Sequence, residues 1–119
     1  MKESEISSQV EQALQASGVI THRNNVGCAK FKGVYVRYGV GGNGGSDWIG
    51  YLPVRITAAM VGRRLAVFCA VECKRDKGGK ITPEQKHFID NVKAAGGIAG
   101  FARSWQDARA LIMNFITGG

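Results

Sequence analysis

Asp47, Glu72 and Lys74 are the residues whose types could do chemistry together. Two carboxylates repel at short range unless a divalent cation lies between them. Oxygen donors of this kind favour Mg²⁺ or Mn²⁺ over Zn²⁺, and a lysine beside them offers charge to an anionic group. Glu72 and Lys74 close a β-prone run, 65–74, in which side chains alternate between faces. Val67, Cys69, Val71 and Cys73 fall on one side, and Phe68, Ala70, Glu72 and Lys74 on the other. A run apolar on both sides predicts a central strand covered twice. At its end the carboxylate and the ammonium share a face, with α-carbons about 7 Å apart by strand rise. Charges in such a place cost several kcal/mol unless paired or bound to a metal. The plainer alternative is that the strand has reached solvent and both are surface residues.

Asp47 is delivered by an unusual stretch, Gly-Val-Gly-Gly-Asn-Gly-Gly over 39–45, followed by Ser46. No phosphate-loop lysine follows, so this is not a nucleotide-binding loop of the usual kind. Two β-prone runs come next, 54–61 and 65–73, separated by Gly62-Arg63-Arg64. They are expected to fold as an antiparallel hairpin that carries Asp47 towards Glu72, with Pro53 as the site of a correcting bulge.

The elements that must position these groups read as α, several β, α, β, α. Ile6, Val10, Ala13 and Leu14 predict a helix over 3–17, stopped by Gly18. A strand is expected at 19–24, and one strand or a short hairpin bent at Gly33 over 30–40. Thr82-Pro83-Glu84-Gln85 is a helix start with Thr82 as N-cap, Pro83 in the first helical position and Gln85 completing a capping box. Phe88, Ile89, Val92 and Ala95 form its inward stripe, and Gly96-Gly97 ends it. A short strand over 98–102 and a helix capped by Ser104, with Ala108, Leu111, Ile112 and Phe115 facing a core, complete one domain over 1–119. The class expected is α/β, a mixed central sheet flanked by helices.

A formal charge of +7 on 119 residues favours an anionic partner, nucleic acid ahead of membrane. No apolar stretch is long enough to span a bilayer. Three cysteines without paired spacing, and no leader-like segment before them, point to free thiols in a reducing cytoplasm. Cys69 and Cys73 read as core thiols, not zinc ligands with His22 or His87. Trp105 reads as packing. Phe31, Tyr35 and Tyr38 amid Lys30, Lys32 and Arg37 offer either a DNA-binding surface or a solvated amphipathic strand.

Gly44-Gly45-Ser46-Asp47 followed by Glu72-Cys73-Lys74 resembles the core of the PD-(D/E)xK nuclease superfamily. More closely, the chain resembles the short stand-alone virus-type replication-repair nuclease (VRR-NUC) domain of phages and bacteria. Further matches are Glu3 to Ile6 in the first helix, Arg23-Asn24-Asn25 with Gly27 after it, Gln85, and the Gly96-Gly97 break. Ser46 departs from the proline often found before the first Asp, and the interval from Asp47 to Glu72 is long for the family.

The resemblance implies a restriction-endonuclease-like fold in which Asp47, Glu72 and the Cys73 carbonyl bind Mg²⁺ or Mn²⁺ and Lys74 handles the attacking water. It gives Gln85 a positioning role, beside its role in the capping box, and Glu3 a place at the site with Glu5 in reserve. Arg23 and Asn24 become DNA contacts, with Arg23 as a structural partner for a carboxylate equally open. It further implies a homodimeric endonuclease cutting branched DNA such as Holliday junctions. A non-catalytic nucleic-acid-binding module and a sequence-specific restriction-type enzyme are the competing readings.

Overall fold

The computed structural model describes residues 2–118, which form a mixed α/β chain of three helices and small sheets. Its backbone gathers into two compact units, one reaching to Pro53 and the other starting at Val54.

The first unit opens with helix α1 (Glu3–Ala16), whose Glu5 carboxylate accepts the Lys2 amide hydrogen at 3.2 Å. An acidic group is well placed there, where unpaired amides and the helix dipole favour negative charge. Strand β1 (Ile20–Arg23) follows and pairs antiparallel with β4 (Trp48–Tyr51), placing Arg23 opposite Trp48. Between them lies a hairpin of β2 (Gly27–Phe31) and β3 (Val34–Tyr38). The open choice at 30–40 therefore resolves as a hairpin, begun three residues earlier than the alternation suggests. Its two-residue turn has both central residues left-handed, Lys32 at φ 49° and Gly33 at φ 79°, the geometry that matches strand twist in tight hairpins.

The second unit is a β–α–β crossover with a further helix. Strand β5 (Cys69–Cys73) pairs in parallel with β6 (Ile98–Ala102), joined through α2 (Pro83–Ala94). Parallel strands require such a crossover. The start of α2 follows from its local sequence: the Thr82 hydroxyl accepts from the Gln85 amide at 3.1 Å, and the Gln85 side chain accepts from the Thr82 amide at 3.1 Å. Helix α3 (Trp105–Ile116) is capped by Ser104, which accepts from the Asp107 amide, and packs on β6. The small core is Ile89 and Val92 of α2 with Ala99 and Ala102 of β6. Burying an isoleucine or a valine contributes about 1.5–3 kcal/mol each, so Ile89 and Val92 anchor α2 on β6, which α3 also covers.

Five expectations are corrected. The hairpin of 54–61 with 65–73 does not form: apart from a 3₁₀ turn at Ala58–Met60 and β5 itself (Cys69–Cys73), these segments are irregular. Val54, Ile56, Val61 and Leu65 are all exposed. β-propensity measures fit to a half-covered pleated surface, and no neighbouring strand supplies one here. β4 takes β1 as its partner and β5 takes β6. Nor is β5 covered twice, since Cys69, Val71 and Cys73 face outward while Ala70 and Glu72 turn to the more protected side. Its thiols are exposed rather than core. Trp105 is 69% exposed and does not pack. The strands form three two-stranded pairs, two antiparallel and one parallel, in place of one continuous sheet.

Among the described residues no helix is long and apolar enough to cross a membrane.

Candidate functional site

In the second unit, the parallel register puts Glu72 opposite Phe101 and Cys73 opposite Ala102 at the carboxyl end of β5. The Lys74 amide extends the ladder by donating to the Ala102 carbonyl at 2.9 Å. The Lys74 ammonium then turns into the structure. It donates to Gln85 Oε1 at 2.8 Å and to the Lys80 carbonyl at 2.7 Å, and lies 3.7 Å from Glu72 Oε1. Its side chain keeps 11% of its exposure, against 39% for Glu72. Each of these neighbours is an acceptor, which offsets the cost of covering an ammonium group.

Gln85 joins the group. Its Nε2 donates to Glu72 Oε1 at 3.1 Å, while its Oε1 accepts from both Lys74 Nζ and the Thr82 amide. One side chain thus completes the capping box and bonds both Glu72 and Lys74. Both the Gln85 and the Lys74 contacts go to Oε1 of Glu72, and Oε2 takes part in neither. Glu72 and Gln85 rim a cleft of about 310 Å³ floored by Ala70, Phe88 and Ile89. Cys73, assigned a role through its backbone carbonyl, is exposed at the end of the strand.

One residue escaped the sequence reading. Arg103, just past β6, donates through Nη1 to the Arg75 carbonyl at 2.9 Å and also to the Gly78 carbonyl. It pins the 75–80 loop whose last carbonyl, that of Lys80, receives Lys74. No local pattern marks it. The only signal available was a cation directly after a predicted strand.

The first unit carries the other candidates. Asp47 is exposed and leads into β4, its carbonyl accepting the Asn24 amide at 2.8 Å. Glu3, Ser4, Ser7, Arg23 and Asp47 line one cleft of about 500 Å³. Glu5 is taken up at the helix start, so Glu3 is the first-helix carboxylate that reaches this cleft. The Arg23 guanidinium is held by neutral partners: it donates to Asn25 Oδ1 and to Ser7 Oγ, each at 3.2 Å, and lies 5.4 Å from the centre of the Trp48 ring. The Trp48 indole donates to the same Ser7 hydroxyl at 3.1 Å. A second, polar cleft of about 730 Å³ shares Arg23 and Asp47 and adds Asn25, Tyr38 and Asn43.

Asn24 is occupied by the protein itself. Only 7% exposed, its carboxamide donates to the Val40 and Ser46 carbonyls at 2.8 and 2.9 Å and accepts the Val40 amide at 2.9 Å. It clamps both ends of the glycine-rich stretch that presents Asp47. Gly45 within that stretch lies so close to the Val40 carbonyl that no side chain fits. Lys30 and Arg37 share one face of the β2–β3 hairpin and Lys32 occupies its turn.

The structure therefore groups Glu72, Lys74 and Gln85 in one unit, and Glu3, Arg23 and Asp47 in the other. Neither a family model, nor a curated protein, nor a solved structure matches the chain.

Proposed function

We propose that the chain is a metal-dependent DNA endonuclease of restriction-endonuclease-like fold, hydrolysing phosphodiester bonds with Mg²⁺ or Mn²⁺. The observation that carries the reading is the Glu72–Gln85–Lys74 group at the carboxyl end of β5. An ordinary surface Glu-x-Lys pair is solvated and worth little. Here the lysine is fixed by three acceptors, and the carboxylate is anchored through one oxygen, leaving the other out of those contacts.

Oxygen donors of this kind would suit Mg²⁺ or Mn²⁺: Glu72 and the Cys73 carbonyl in the second unit, and Asp47 with Glu3 in the first. A bound divalent ion supplies positive charge to a phosphoryl oxygen and lowers the pKa of a coordinated water. Lys74, its ammonium held between Gln85 and the Lys80 carbonyl, orients the attacking water and offsets charge that develops on the phosphate. Gln85 keeps Lys74 and Glu72 in register. Arg23, fixed by Ser7, Asn25 and Trp48, meets a phosphate, and Glu3 supports the Asp47 cleft. A net charge of +7 favours a polyanionic partner. A two-fold homodimer would carry two such sites, as symmetric cutting of a branched substrate such as a four-way junction requires.

The test is cleavage of supercoiled plasmid and of a synthetic four-way junction with Mg²⁺ or Mn²⁺, with the mass in solution measured alongside. Wild type should cut, and Asp47→Ala and Lys74→Ala should each lose about 10²-fold or more. Nucleic-acid binding without cleavage under any divalent ion would replace the enzyme with a binding module. Cut sites sharing a fixed sequence motif would make it a restriction-type enzyme.

A further inference from the structure

The β2–β3 register sorts a mixed set of basic and aromatic residues into two unlike faces. Lys30 stands opposite Tyr35 and Cys28 opposite Arg37, so these four share one face; Phe31, Val34, Ala29 and Val36 share the other with Tyr38. The first face carries the hairpin's strand cations and an aromatic ring that is 71% exposed, with Lys30 Nζ 5.7 Å from the Tyr35 ring centre. The second face carries no charge. Between Glu11 and Asp47 the chain has no acidic residue, while Arg23, Lys30, Lys32 and Arg37 all fall in that interval. No carboxylate of the hairpin therefore opposes an approaching polyanion.

An exposed ring flanked by cations has little to offer a duplex, whose base faces are covered by stacking and whose grooves present only edges. It does fit an unpaired strand, where a base stacks on the ring while cations meet the phosphates on either side. We propose that the Lys30–Tyr35–Arg37 face holds a single-stranded stretch of the DNA substrate, Tyr35 stacking on a base and Lys30 and Arg37 meeting phosphates. This deepens the nuclease reading and rests on it, naming the substrate as DNA with unpaired nucleotides. Tyr38, at the base of β3 but on the opposite face, lines the polar cleft that also contains Asp47. From Tyr35 to Tyr38 the strand advances about 10 Å.

The full chain is titrated with a fluorescein-labelled oligothymidylate and with a blunt duplex of equal length, in EDTA so that binding is read without cleavage. Wild type should bind the single strand more tightly. Tyr35→Ala should weaken that binding about tenfold while Tyr35→Phe, which keeps the ring, restores it. Lys30→Ala should reduce the slope of log affinity against log salt by about 0.7. Single-strand affinity unchanged in Tyr35→Ala, or a duplex preferred with Tyr35 immaterial, overturns the inference. A wild type that binds through Tyr35 yet never cleaves with metal keeps this inference and removes the nuclease reading. Cleavage with Tyr35-independent binding does the reverse.

Discussion

Gln85 Nε2 reaches Glu72 Oε1 at 3.1 Å from the first turn of α2, thirteen residues along the chain. Its Oε1 meanwhile serves the helix cap and Lys74. Truncation and the introduction of a charge should separate these duties. Gln85→Ala removes the capping box and is expected to cost about 1 kcal/mol of stability, together with a roughly 10–100-fold loss of cleavage through the mispositioned pair. Gln85→Glu keeps an acceptor for the Thr82 amide and for Lys74, but sets a carboxylate against Glu72. Its melting transition should stay closer to wild type than that of the alanine variant while cleavage falls as far. Equal stability loss in both variants would mean that the cap is not the stabilising contact.

Arg103 should act on Lys74 at one remove. Arg103→Ala frees the Arg75 and Gly78 carbonyls, and hydrogen bonds to a charged donor contribute about 1.5–3 kcal/mol each. Amides of the 75–80 loop should then exchange about tenfold faster or more, with β6 and α3 nearly unchanged. Uniform acceleration across the second unit would show that Arg103 supports the whole fold and not the loop alone.

Asn24→Ala strips three hydrogen bonds from backbone groups of Val40 and Ser46. Leaving such groups unpaired is expected to destabilise by about 2–3 kcal/mol, read as a lower denaturant midpoint. Asn24→Asp keeps an acceptor for the Val40 amide and loses both donors, so it should also be destabilised. A change within about 0.5 kcal/mol for the alanine variant would contradict a clamping role.

How much of this was legible differs between the halves of the chain. The start of α2, the strand at 98–102 and the Ser104 cap were readable because caps and breaks are decided by residues within one turn of each other. Strand partners are decided by distant contacts, and the 54–61 segment shows the difference: its composition suits a strand, but β5, its expected partner, pairs with β6. Asn24 was equally opaque. Its acceptors lie sixteen and twenty-two residues away, and they are backbone atoms that leave no trace in side-chain patterns. Glu72 and Lys74 were legible as a pair because strand periodicity alone puts them on one side. The third member arrived from a helix whose start was recognised for another reason.

The cysteines give a simple chemical check. Cys28, Cys69 and Cys73 are free and exposed, so all three should react with an aromatic disulfide reagent in the native protein, at rates close to one another. Unfolded protein should show no additional thiol. A thiol that reacts only after denaturant is added would restore the core placement that strand alternation suggested for Cys69 and Cys73.

Lys32 turns the hairpin in a conformation that asparagine or glycine adopts more readily, at a cost of about 1–2 kcal/mol for a residue with a full side chain. The turn therefore keeps a cation at its tip against the preference of its own backbone. Such a conflict between local geometry and residue type is a mark of function elsewhere in proteins. Here it makes the tip the place where stability and affinity can be traded directly: Lys32→Asn would relax the turn and shed one charge in the same step.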